Sequence, residues 1–145
     1  MKIIRIFDSI FKPSPILAHC DVPCGIYKAE PSKTAAETVV KMVEKISALP
    51  LENPTVEDRN TFVRCIGVKE QHAELCKREI LILWTDFFKA EHLEKWPDLH
   101  DKVWKATKLC SENKREVSLE KAQALLGAVE DIGKMLESAQ KAAKK

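Results

Sequence analysis

The sequence predicts an all-α fold, an antiparallel four-helix bundle preceded by a short non-helical hook. Three observations carry that prediction. Among 145 residues there are only four glycines and one tyrosine, whereas a β-sandwich or barrel needs frequent turns and β-branched or aromatic runs. Hydrophobic residues make up 45% and charged residues 32% of the chain, a globular balance rich in the good helix formers Lys, Glu, Ala and Leu. Four amphipathic stretches of helical period are joined by short connections, the pattern of an up-and-down bundle. The length suits a single domain.

The first helical stretch opens at Pro31-Ser32, with Ser32 as the expected N-cap. Ala36, Val39, Val43 and Ile46 then recur on one face until Pro50 stops the run. The second opens at Pro54-Thr55, where Thr55 and Asp58 have the spacing of a capping box. It runs to about Phe88 with Phe62, Ile66, Leu75, Leu81 and Leu83 as apolar positions, and Gly67 is the expected place for a bend. Pro97 suits the first turn of a third helix that carries Leu99, Val103 and Trp104 towards Cys110. Ser118 caps a fourth, with Ala122, Leu125, Val129, Ile132 and Leu136 on one face and lysines at its end. The bundle therefore spans about residues 32–143.

Several functional classes are excluded. No apolar run approaches the roughly 18 residues of a membrane span. A net charge of +2 does not suit a nucleic-acid binder, and no basic stripe surrounds Trp84, Trp96 or Trp104, which read as core or subunit-contact residues. No Gly-rich phosphate loop or Ser-His-Asp set stands out. Five cysteines, an odd number without a paired CxxC framework, suit free thiols and a cytoplasmic chain. Cys65 and Cys110 read as small buried hydrophobes, and the i, i+4 pair His72 and Cys76 as ordinary helix packing.

Residues 1–18, MKIIRIFDSIFKPSPILA, precede this framework. Lys2 and Arg5 resemble the start of a secretory signal, but Asp8 and Lys12 interrupt the apolar stretch, and Pro13 and Pro15 break the residues after it. A disordered arm and a leader removed after Ala18 both fit these residues.

The chemistry lies in residues 19–27, His-Cys-Asp-Val-Pro-Cys-Gly-Ile-Tyr. Two thiols, an imidazole and a carboxylate fall within six residues. Pro23 opposes the helical conformation at Val22, so the segment folds back as a hook, which a cis Val22-Pro23 bond would tighten. Thiolate with imidazole is a metal-ligand set, although Cys20 and Cys24 alone suit zinc, copper or a disulfide.

This nonapeptide resembles the nickel-binding hook of the nickel-containing superoxide dismutases. The resemblance continues through Lys69-Glu70-Gln71, Leu83-Trp84-Thr85-Asp86-Phe87-Phe88-Lys89, His92, Glu94-Lys95 and Pro97-Asp98-Leu99-His100. It implies a four-helix bundle assembled as a homohexamer, one nickel ion per subunit and disproportionation of superoxide to oxygen and hydrogen peroxide. It also implies that residues 1–18 are a leader cut away by a maturation protease, so that residues 19–145 form the mature domain with His19 at its N-terminus. The metal ligands it implies are the α-amine and imidazole of His19, the backbone nitrogen and thiolate of Cys20, and the thiolate of Cys24. Asp21 and Tyr27 match family residues that order the pocket and relay protons, and Lys89 matches a lysine near the entrance.

Leader removal takes three basic residues and one acidic residue from the totals of 24 and 22, leaving a formal charge of zero. Superoxide must then be attracted by local fields. Three positions depart from the better-known members. Ala35 replaces a glutamate that contacts the hook histidine, His72 replaces an arginine of the same network, and Phe87 replaces a tyrosine near the pocket. The rival readings are a non-catalytic nickel- or zinc-binding helical protein and a helical interaction module with a local Cys20–Cys24 disulfide. Neither requires a histidine directly before the first cysteine.

Overall fold

A computed structural model of the chain describes residues 25–143. Helix α1 spans Glu30–Ser47 and α2 spans Val56–Ile82. A π-helical turn over Leu83–Phe87 follows, then a single-turn helix α3 at His92–Lys95. Helix α4 covers Leu99–Arg115 and α5 covers Leu119–Ala143. The four long helices pack in a ring in which α1 meets α2 and α5, and α4 meets α2 and α5. The pairs are antiparallel. Lys33 near the start of α1 bridges Glu130 at the middle of α5 at 3.0 Å, and Gln140 near the end of α5 donates to Tyr27 just before α1. Lys77 of α2 donates to Ser111 of α4, and Lys121 of α5 bridges Glu112 of α4. This is the expected four-helix bundle.

The helix starts hold as read at two of four places. Thr55 and Asp58 form the reciprocal capping box, with Thr55 N–H donating to the Asp58 carboxylate at 2.8 Å and Asp58 N–H to the Thr55 hydroxyl at 3.1 Å. Ser118 accepts from the Lys121 N–H at 3.3 Å and starts α5. Ser32 is not an N-cap. The helix begins two residues earlier because Pro31 pre-sets the first turn, and the buried Ser32 hydroxyl donates back to the Ala29 carbonyl at 2.8 Å. Pro97 lies ahead of α4 rather than in its first turn, and α4 runs past Cys110 to Arg115.

The apolar faces of α1 and α5 are those expected, since Ala36, Val39, Val43 and Ile46 of α1 and Ala122, Leu125, Val129, Ile132 and Leu136 of α5 are all buried. Helix α2 differs. It runs unbroken through Gly67, and its inward face is Cys65, Lys69, Ala73, Cys76 and Ile80, while Phe62 and Leu75 are 45% and 41% exposed. Small residues, Cys65, Ala73 and Cys76, line most of that face in place of the bulkier Phe62 and Leu75, with Ala73 packed on Val39 and Val43 of α1.

Lys69 is the exception to that small-residue face, being 1% exposed. Its ammonium donates to the carbonyls of Asn113, Lys114 and Glu116, the last at 3.0 Å. These belong to the end of α4, where carbonyls have no intrahelical partner, so Lys69 caps α4 from the neighbouring helix. Desolvation pulls the Lys69 ammonium below its ordinary pKa, partly opposed by the charge of Glu70. Asn113, also buried, donates through Nδ2 to the carbonyls of Leu109 and Lys121 and thereby joins α4 to α5.

Candidate metal centre and its supporting corner

His19, Cys20, Asp21 and Cys24, together with the Val22-Pro23 bond, lie outside the described residues. The described residues begin directly after that segment, at Gly25. Gly25 directly follows Cys24 and has φ +70°, a left-handed conformation that disfavours any side chain. No atom lies within 4 Å of where a Cβ would stand, so glycine is required here by the backbone and not by crowding. The chain then turns into Ile26, Tyr27 and the start of α1.

Three contacts seat this stretch. The Gln140 side-chain amide donates to the Tyr27 carbonyl at 2.8 Å, tying it to the last turns of α5. Gly133 lets Ala29 approach α5, since a Cβ on Gly133 would stand 3.1 Å from the Ala29 Cβ. The half-buried Tyr27 ring packs on Phe87, with centroids 5.5 Å apart and planes at 58°. Phe87 in turn stacks on His92 at 5.6 Å and 9°, and meets Phe88 edge-on at 5.2 Å.

The π-helical turn is what places Phe87. Phe88 N–H donates to the Leu83 carbonyl, five residues back, so one extra residue is accommodated and everything after it is rotated relative to an uninterrupted α-helix. Trp84, at the start of that turn, donates through its indole N–H to His100 Nδ1 at 2.8 Å and fixes the turn to α4. The reading of helix into Phe88 missed the π turn and α3. No local pattern announces them, because Leu-Trp-Thr-Asp-Phe-Phe has no Gly or Pro to mark the change. Gln140 and Gly133 were also missed, because their roles exist only once α5 returns past residue 27.

Of the sequence-level candidates, Tyr27 and Phe87 meet at this corner, and exposed Lys89 lies two residues beyond Phe87. His72 does not meet them within the chain. It lies fifteen residues before Phe87 on the same element, about 22 Å away at the rise of a helix, and its Nδ1–H donates to the Val68 carbonyl at 2.9 Å. Ala35 is buried in the core on α1. Cys65, Cys76 and Cys110 are free and buried. A hydrogen bond with Cys110, and then burial, push the Cys76 thiol well above its ordinary pKa, so it is a poor thiolate donor. Trp84 and Trp96 are half-buried against the core, whereas Trp104 is 58% exposed with the Lys108 ammonium 5.4 Å from its ring.

No cluster of three or more His, Cys, Asp or Glu side chains among the described residues is arranged to hold a metal. A cleft of about 670 Å³ lies at the opposite end of the bundle between the α1–α2 connection and Val117. Asp58, one of its two charged lining residues, is engaged in the capping box. Thiol and imidazole side chains are residue types that can hold a metal such as nickel, and this sequence carries them together at His19, Cys20 and Cys24.

A helical bundle whose sequence carries thiol and imidazole donors just ahead of Tyr27, itself seated on an aromatic corner, fits a class of metalloprotein. Comparison with known proteins then narrows the class. The sequence model described as nickel-containing superoxide dismutase matches residues 14–140. A superoxide dismutase [Ni] of Streptomyces seoulensis is 34% identical over 134 residues, 92% of this chain and 97% of the relative. The native nickel superoxide dismutase structure at 1.30 Å superposes with a TM-score of 0.76 at 33% identity, covering 85% of this chain and 99% of that one. A structure with nickel ligation corresponding to the oxidised state gives 0.75 at 34% identity, with the same coverage. The chain belongs to the nickel-containing superoxide dismutase family.

Proposed function

We propose that this chain is a nickel-dependent superoxide dismutase whose metal is held by His19, Cys20 and Cys24 once residues 1–18 have been removed. The observation that carries the reading is the run His19 to Tyr27, a complete donor set followed at once by the left-handed Gly25 and by Tyr27 on its aromatic seat. Two superoxide anions and two protons give one oxygen and one hydrogen peroxide. Bound nickel supplies the one-electron change, between its +2 and +3 states, that both halves of this reaction need.

The chain's own residues do the rest. A free α-amine on His19 is a donor with a lone pair, whereas the same nitrogen in an Ala18-His19 peptide is a planar amide without one. Cutting after Ala18 therefore creates a ligand. The thiolates of Cys20 and Cys24, the backbone nitrogen of Cys20 and the imidazole of His19 would be the other groups to hold the nickel. Asp21 and the Tyr27 phenol order the pocket and hold protons for the departing peroxide. Lys89, whose ammonium makes no ion pair among the described residues, attracts the anionic substrate.

The homohexamer, the maturation protease and a cytoplasmic location belong to this proposal. Exposed Leu51, Val56, Val63 and Trp104 offer apolar surface that subunit contacts would bury, which supports assembly. No helix of the described residues is long and apolar enough to cross a membrane.

The test compares two nickel-loaded forms, one beginning at His19 and one retaining Ala18, for superoxide disproportionation and for the electron paramagnetic signal of Ni(III). Activity and signal are expected only in the form that begins at His19. Equal activity in both forms would remove the amine ligand from the scheme. A loaded His19 form with neither activity nor redox change would leave a metal-binding protein without the dismutase reaction.

A further inference from the structure

We propose that His92 is a positioning residue, which holds Lys89 in place beside the aromatic corner through a reciprocal pair of hydrogen bonds. The inference rests on the dismutase reading, in which an anionic substrate approaches this corner.

The pair is closed in both directions. Lys89 N–H donates to His92 Nδ1 at 2.9 Å, and His92 N–H donates to the Lys89 carbonyl at 3.0 Å. An Nδ1 that accepts carries no proton, so the imidazole is the tautomer with its proton on Nε2. The same ring is clasped between aromatic neighbours. It stacks on Phe87, meets Phe88 edge-on at 5.7 Å and contacts Trp96 at 6.4 Å. Phe87 is the ring on which Tyr27 rests. One imidazole therefore links the backbone of an exposed cation to the seat of the hook segment.

Position comes from that link. Residues 88–91 leave the π turn as non-helical chain, in which the Lys89 amide would otherwise face water. Fixing the Lys89 backbone fixes the origin from which its flexible four-carbon stem extends, and so narrows the volume that its ammonium samples. A cation whose mean position is close to an anion's path raises the encounter rate, and salt screens that effect.

Two substitutions separate the bond from the ring. His92→Phe keeps a flat ring between Phe87 and Phe88 but has no acceptor. His92→Asn loses the stack but places its carbonyl oxygen where Nδ1 stood. In the metal-free chain, hydrogen exchange at the Lys89 amide is expected to accelerate about tenfold or more in His92→Phe, a loss of one hydrogen bond's protection, and to stay near wild type in His92→Asn. With nickel bound, kcat/KM of His92→Phe is expected to fall several-fold, and its decline with rising salt to become shallower. Helix content and kcat should stay unchanged, and His92→Asn should recover most of the loss. Combining His92→Phe with Lys89→Ala should cost no more than Lys89→Ala alone.

Unchanged Lys89 exchange in His92→Phe overturns the inference, as does faster exchange without a kinetic change. Equal losses in His92→Phe and His92→Asn assign the effect to the ring and overturn it as well, and so does a loss of helix content in His92→Phe. An inactive nickel-loaded wild type defeats the dismutase reading instead, and the exchange result then stands by itself on the hydrogen bond.

Discussion

The two ends of the bundle are held by different means. At the end remote from the hook, Lys69 reaches across from α2 to three carbonyls that close α4, and Asn113 reaches from α4 to the Lys121 carbonyl of α5. Those side chains are buried, and most of their polar atoms are paired. At the hook end, half-buried rings do the work. Tyr27, Phe87 and His92 make successive ring contacts, and exposed or half-buried side chains add hydrogen bonds from Gln140 to Tyr27, from Trp84 to His100 and from Lys95 to Ser138. The remote end uses directional bonds that have one good geometry, whereas ring contacts tolerate small shifts at low cost. Buried polar side chains thus mark one end of the described bundle and ring contacts the other.

If that division is real, a substitution at one end should leave the other's readout alone. The largest effect is expected from Lys69→Met, which fills the space but leaves the carbonyls at the end of α4 unpaired. Urea unfolding should show a loss of about 2–4 kcal/mol, within the range for buried polar groups that lose their partner. Nickel retention by the folded fraction should be unchanged. A loss below about 1 kcal/mol would show that α4 closes adequately without Lys69.

Gly25→Ala probes the other end. A side chain at φ +70° costs about 1–2 kcal/mol locally. The cost falls on a segment outside the helical core, so faster nickel loss to a chelator is expected, with little change in the unfolding midpoint. A lower midpoint with normal nickel retention would place Gly25 in the fold rather than the site.

The smallest effect is expected at Asp58. Its hydrogen bonds from the Thr55 hydroxyl and the Thr55 backbone N–H lower its pKa below the ordinary 3.8. In that window the unfolded chain binds more protons than the folded one, so this contribution is complete above about pH 4 and is lost as pH falls through the lowered value. Asp58→Asn should flatten that part of the acid-unfolding profile while leaving His92 and Lys89 exchange untouched. An unchanged profile would show that the α2 cap adds nothing measurable to the stability of the remote end.

The same contrast separates the legible parts of the sequence from the rest. The caps at Thr55 and Ser118 depend on residues three apart, and the α1 and α5 faces on apolar residues at helical spacing, so both can be read along the chain. Helix α2 misleads because Phe62 and Leu75 are bulkier than Cys65, Ala73 and Cys76, yet the smaller residues face inward. Which face turns inward was decided by the packing of α2 against both α1 and α4. Lys69 looks like an ordinary surface lysine until the end of α4 arrives beside it.

The donor run His19-Cys20-Asp21-Val22-Pro23-Cys24 is contiguous, and its chemistry comes from residue types and order alone. So does the helical class, because composition and period act locally. Tertiary structure alone decided the surroundings of Tyr27, three residues beyond that run. Gln140 meets Tyr27 across 113 positions, Gly133 admits Ala29, and the π turn brings Phe87 against Tyr27 with His92 stacked on Phe87. Contacts of that kind join residues far apart in the chain, and they exist only where packed helices bring distant segments within a few ångströms.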